Sequence, residues 1–144
     1  MPTDTIRVIA AVITDGDRLL VCQRPAHKRH GGLWEFPGGK CEAGESDLDA
    51  ARRELREELG VHVVTIGEGE IAFHDTGSPF EIVFRPVIIE GTPTCLEHTA
   101  LAWATLDELA ELPLAPSDHR YVDRLRDSSL TDADPPGSDS RPDP

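Results

Sequence analysis

One segment, Ser46 to Leu59, carries its apolar residues at helical spacing, and the stretches on either side of it include β-branched runs. A central amphipathic helix with strands on both sides points to a mixed α/β architecture. Local chemistry marks the helix ends. Ser46 stands three residues before Asp49, resembling a capping box, Asp47 and Asp49 suit the first turn, and Gly60 supplies the stop. Upstream, the apolar runs Ile6 to Ile13 and Leu19 to Cys22 flank Thr14-Asp15-Gly16-Asp17, which predicts a hairpin. Arg24 to Gly44 reads as one long glycine-rich loop. Downstream, Val61 to Ile66, Ile71 to Phe73 and Phe80 to Ile89 read as strands, the last two joined by a turn at Asp75 to Pro79. Ala100 to Ala104 reads as a short strand, followed by helices over about 105–111 and 117–126 with Thr105 and Ser117 as N-caps. The expected fold class is α/β, a mixed sheet sandwiched between helices.

With 144 residues the chain has room for one domain of ordinary size. Residues 1–126 are expected to form it. From Asp127 to Pro144 only Leu130 and Ala133 are apolar, so residues 127–144 are expected to be a disordered acidic Pro/Ser-rich tail. No apolar run is long enough to cross a bilayer, and the N-terminus lacks the pattern of a secretory signal. Three cysteines without a C-x-x-C spacing argue against a disulfide framework or a zinc ribbon. A soluble cytoplasmic protein is expected. The net charge of −13 disfavours nucleic-acid polymers and anionic membranes as partners. An anionic ligand would need a metal ion as intermediary.

Glu54, Glu57 and Glu58 are spaced i, i+3, i+4 on the helix. On a helical wheel they fall near about 0°, −60° and +40°, while Leu48, Ala51, Leu55 and Leu59 fall at about 120°, 60°, 100° and 140°. The acidic face therefore lies beside the apolar stripe, and packing on the leucines would aim the carboxylates along a groove. Crowded carboxylates repel unless a cation neutralises them, and an oxygen-only donor set selects Mg²⁺ or Mn²⁺ over zinc. On its own the cluster reads better as a solvated acidic face paired with Arg53 and Arg56 than as a metal site.

The wider pattern is more specific. Gly39, Glu45, Arg53-Glu54-Leu55, Glu57-Glu58 and Gly60-Val61 fill every fixed position of G-x5-E-x7-R-E-U-x-E-E-x-G-U, with U aliphatic. In this the chain resembles the Nudix hydrolases. Gly32-Leu33-Trp34-Glu35-Phe36-Pro37-Gly38-Gly39-Lys40 is similar to the MutT-like group, and the likeness extends over about residues 6–126. The resemblance implies an α/β/α Nudix fold and a Mg²⁺-dependent (Mn²⁺ possible) hydrolysis of a nucleoside triphosphate to the monophosphate and diphosphate. Oxidised or modified nucleotides such as 8-oxo-dGTP are the substrates implied first. CTP or 5-methyl-dCTP, ADP-ribose or dinucleoside polyphosphates, and a non-enzymatic nucleotide sensor are the alternatives.

The resemblance makes Glu54, Glu57, Glu58 and Glu97 catalytic. Those four and the Gly38 carbonyl would be metal ligands. It makes Gly39, Glu45 and Arg53 structural parts of the motif, Arg53 by an ion pair to a motif carboxylate. Arg24 and Lys40 would meet phosphate, Phe36 would line the base pocket and Asp118 would read the base edge, while Lys28, Arg29 and His30 would add to a positive rim. One departure stands out. Where the oxidised-dGTP enzymes carry Phe and Arg contacts in a hairpin, this chain has His74 and Gly77, without the arginine. A monomer or a homodimer is compatible with this pattern.

Overall fold

The first strand, β1 (Ile6–Val12), is buried on both faces along its second half, and its side chains alternate between two cores. Ile9 and Ala11 point into one core, Ala10 and Val12 into the other, as the period of two requires. The structure, a computed structural model, describes residues 5–68, 71–74 and 77–132. After β1 come β2 (Thr14–Asp15), β3 (Arg18–Gln23), β4 (Trp34–Glu35) and β5 (Gly38–Lys40). Helix α1 (Asp47–Leu59) precedes β6 (His62–Ile66), β7 (Ile71–His74), β8 (Phe80–Glu90) and β9 (Ala100–Ala104). Helices α2 (Leu106–Ala110) and α3 (Pro116–Asp132) end the described chain.

The larger sheet runs β5-β1-β8-β6, with β1 and β8 parallel and β7 also paired to β8. The smaller one runs β2-β3-β4, with β9 antiparallel to β3. On one side the sheets bury Leu55, Leu59, Ala50 and Ala51 of α1; on the other they bury Tyr121, Val122 and Leu109 of α3 and α2. This is the mixed sheet between helices that the sequence leads one to expect. Strands covered on both faces read as continuous apolar runs, which is how β1 reads.

The ends of α1 follow their local chemistry. Ser46 Oγ accepts the Asp49 N–H at 3.1 Å, and Gly60 closes the helix with φ 70°, a left-handed turn that suits glycine. The hairpin at Asp15-Gly16-Asp17-Arg18 is also present, with Asp15 opposite Arg18.

Three expectations need correction. The stretch 24–44 holds two short strands. β5 is an added antiparallel neighbour of β1, and β4 pairs with β3. At two and three residues these strands are set by distant partners, with no local pattern to announce them. Helix α3 begins at Pro116, so Ser117 lies inside it instead of capping it; proline is favoured in the first turn, where its missing N–H costs nothing. The same helix continues to Asp132, beyond the boundary at 126, and the rest of the expected tail lies outside the described residues. Asp75 and Thr76 of the expected turn before β8 also lie outside them. No described helix is long and apolar enough to cross a membrane.

Candidate active site

Pairing of β5 with β1 sets Gly38 opposite Ala10 and Gly39 opposite Ile9, at one end of an open cavity of about 500 Å³. Both glycines are sterically required. A Cβ on Gly38, whose φ is 149°, would run into the Ile9 carbonyl oxygen, and one on Gly39 would occupy the space of the Glu54 carboxyl group. The glycines thus let α1 press its glutamates against a bare backbone ribbon.

The three helix glutamates differ in burial, and Glu58 is the one of them that lines the cavity. Glu58, the one nearest the leucine stripe, is buried and lines the cavity, its Oε1 accepting the Gly38 N–H at 3.2 Å. Glu54 is partly buried and its Oε2 takes a hydrogen bond from Arg53 Nη1 at 2.8 Å. Glu57, on the far side of the wheel, is exposed. Arg53 also grips Glu45 through Nε and Nη2, both at 2.8 Å, and its Nη2 reaches the Lys40 carbonyl at 2.9 Å. That clamp closes the loop between β5 and α1, and it holds the Glu45 carboxyl down at about 2.

Burial pushes the Glu58 carboxyl well above the usual carboxylate range, and the neighbouring Glu54 and Glu35 charges push it further. Only the Gly38 N–H opposes them. Among the described residues no three His, Cys, Asp or Glu side chains yet converge on one point. Glu54 and Glu58 do lie near enough for each other's charge to matter. A carboxylate pair with oxygen donors alone, of which Glu58 has no cationic partner of its own among the described residues, fits a hard divalent cation.

Two backbone tethers complete the wall. Thr94 and Leu96 donate their N–H groups to the carbonyls of Leu59 and Glu58, both at 3.0 Å, capping the end of α1 and bringing the exposed Glu97 to the cavity. Trp34 takes the Pro113 carbonyl at 2.8 Å and gives its own to the Ala115 N–H at 2.9 Å. This stitches the start of α3 to β4, so that Asp118 accepts the Phe36 N–H at 2.8 Å. Burial pushes the Asp118 carboxyl up to about 7, with Glu35 adding to the shift, so near neutrality it can donate as well as accept a hydrogen bond.

Phe36 is 4% exposed and packs edge-on against Phe84 and Tyr121, so it serves the core and the cavity wall together. Lys40 lies 5.3 Å over the Phe80 ring at the cavity edge. Arg24 lines the cavity too, but its Nη1 is paired with Glu35 at 3.1 Å and its Nε with the Arg29 carbonyl at 2.7 Å. Lys28, Arg29 and His30 also belong to the wall. Two residues to which the sequence assigns no role also belong to the wall: Glu35 and His98, joined at 2.9 Å. Sixty-three positions apart, they share no local signal.

A glycine ribbon facing a glutamate-bearing helix inside an α/β/α sandwich defines the class: the chain belongs to the NUDIX domain family, whose pattern matches residues 4–125. It is a Nudix hydrolase of the MutT-like kind, a family that acts on nucleotide substrates and generally uses a divalent metal ion. Among curated relatives it is 42% identical to the CTP pyrophosphohydrolase of Escherichia coli K12 over 78% of this chain and 85% of that protein. It is 38% identical to the 8-oxo-dGTP diphosphatase of Proteus vulgaris over 52% of this chain and 68% of that one. The solution structure of the E. coli ORF135 protein superposes with a TM-score of 0.75 at 37% identity, covering 91% of this chain and 96% of that one.

Proposed function

We propose that the protein hydrolyses nucleoside triphosphates, above all those with oxidised or otherwise modified bases such as 8-oxo-dGTP, to a monophosphate and diphosphate, with Mg²⁺ (Mn²⁺ as a substitute). The observation that carries this reading is the cavity itself. Glu58 stands in its wall beside the Gly38-Gly39 ribbon, Asp118 beside Phe36, and Lys28, Arg29 and Lys40 belong to the same wall. The volume suits a nucleotide.

Glu54, Glu57, Glu58, the Gly38 carbonyl and Glu97 would hold the cation, whose bound form supplies charge neutralisation and a more acidic water. Glu97 or a helix glutamate takes the proton of the attacking water. Lys40 and Arg24 receive phosphate oxygens, Arg24 by exchanging part of its Glu35 pairing. Phe36 flanks the base and Asp118 reads its edge, as donor or acceptor according to its proton.

A second reading, turnover of CTP or 5-methyl-dCTP, is favoured by the likeness to the E. coli CTP pyrophosphohydrolase and by His74 and Gly77 standing where an arginine is absent. The test is diphosphate release with Mg²⁺ from 8-oxo-dGTP, dGTP, dCTP, 5-methyl-dCTP, ADP-ribose and diadenosine tetraphosphate. The first reading expects the highest kcat/KM for 8-oxo-dGTP, the second for the pyrimidines. No turnover of any triphosphate overturns both.

A further inference from the structure

The His98 ring is unusually placed for a surface-loop residue. Its side chain is 6% exposed, Nε2 lies 2.9 Å from Glu35 Oε2, and Nδ1 is buried with no partner. Among the described residues it is the buried side-chain polar atom left without a hydrogen bond. An ionised carboxylate can only accept, so in this contact Nε2 is the donor. Leaving Nδ1 unsatisfied is costly, and folding stability alone would favour an apolar ring there. The contact the ring does make is through Nε2.

What Nε2 does is join two walls of the cavity. Glu35 lies on β4 and also receives Arg24 Nη1, so the loop before β9 is tied through His98 to the strand that carries Glu35 and to the arginine behind it. The residue before His98 is Glu97. Its loop is otherwise held by the amides of Thr94, Leu96 and Thr99 and by the Thr94 hydroxyl, and the Glu97 side chain itself is exposed. We propose that His98 is a positioning residue: its bond to Glu35 fixes the loop that aims Glu97 into the cavity. This rests on the functional reading above, and its test separates the two.

The experiment compares wild type with His98→Phe and His98→Gln. Phenylalanine fills the space without the orphaned nitrogen, and glutamine places an amide N–H near the position of Nε2. Melting temperature, kcat and KM on the best triphosphate of the panel, and amide hydrogen exchange at Leu96 and Thr99 are measured. For His98→Phe the expected results are an unchanged or higher melting temperature, a kcat about 10–100-fold lower with KM within about threefold, and roughly tenfold faster exchange at both amides. His98→Gln is expected to recover most of the kcat and the protection.

A His98→Phe protein with wild-type kcat or wild-type exchange overturns the proposal. So does a His98→Gln protein no better than His98→Phe, or a fall in melting temperature that accompanies the loss of rate in both variants. If the wild type turns over no triphosphate, the functional reading fails instead, and the exchange arm still decides whether His98 holds the loop.

Discussion

Two acidic residues at opposite ends of α1 live in opposite circumstances. Asp47 receives Arg7 through Nε and Nη2, at 2.9 and 2.7 Å, and Arg85 Nη1 at 2.7 Å. The Arg7 hydrogen bond, with the charges of both arginines, holds its carboxyl below the usual range. Glu58, about 16 Å further along the axis, is buried beside Glu54 and within reach of the Glu35 charge, and its carboxyl is held above that range. The first arrangement stabilises the fold by ordinary charge pairing. The second works against it, and under the proposed function a bound cation would offset that cost. Their partners, rather than their place on the helix, set the two carboxylates apart.

Breaking the functional end should give the largest effect. Glu58→Gln is expected to lower kcat by two to four orders of magnitude while the melting temperature stays level or rises, checked by steady-state kinetics and thermal denaturation. Next, Mg²⁺ at about ten times its dissociation constant should stabilise the wild type by roughly 1.4 kcal/mol, read as a thermal shift that Glu58→Gln lacks. Breaking the structural end should do the reverse. Asp47→Asn is expected to cost about 1–2 kcal/mol in a denaturant titration, leaving kcat within about threefold.

The two ends also differ in the sign of their pH dependence. The Asp47 contribution is present above the unfolded pKa and lost as pH falls through the folded one, so wild type and Asp47→Asn converge in acid. In metal-free protein the Glu58 contribution is present at low pH. It is lost as pH rises past the ordinary carboxylate range, because the unfolded chain gives up a proton that the folded one retains, and Glu58→Gln flattens that slope. The smallest effect belongs to Ser46→Ala, about 1 kcal/mol of stability from the lost cap with no change in kcat.

Much of the fold was legible because its signals are local. The Ser46 cap, the Gly60 stop, the Asp15-Gly16 hairpin and the strand at Ala100–Ala104 each depend on a few adjacent residues. β4 and β5 were not legible, since glycine and tryptophan carry no strand period over two or three residues and their partners lie far off in the chain. The signature made the glutamates visible and left their divergence unseen. A wheel places Glu58 closest to the leucines, yet only packing shows that this buries it while Glu57 faces water. Glu35 and His98 share no spacing rule, and only the folded chain brings them together. The cap attributed to Ser117 failed because Pro116 already opens the helix.

The long strand β8 is shared by two partners on one edge: Phe80 side residues pair with β7, and residues from Val87 onward pair with β6. Its other edge lies along β1 from Ile6 to Val12. Ser78, Phe80 and Ile82, at the β7 end, face the cavity, whereas the core beneath α1 draws on Val83 and Val87. Under the proposed function, substitutions at Phe80 and Ile82 would therefore reshape the cavity while sparing Val83 and Val87, so one strand carries a tunable wall and a fixed foundation at once.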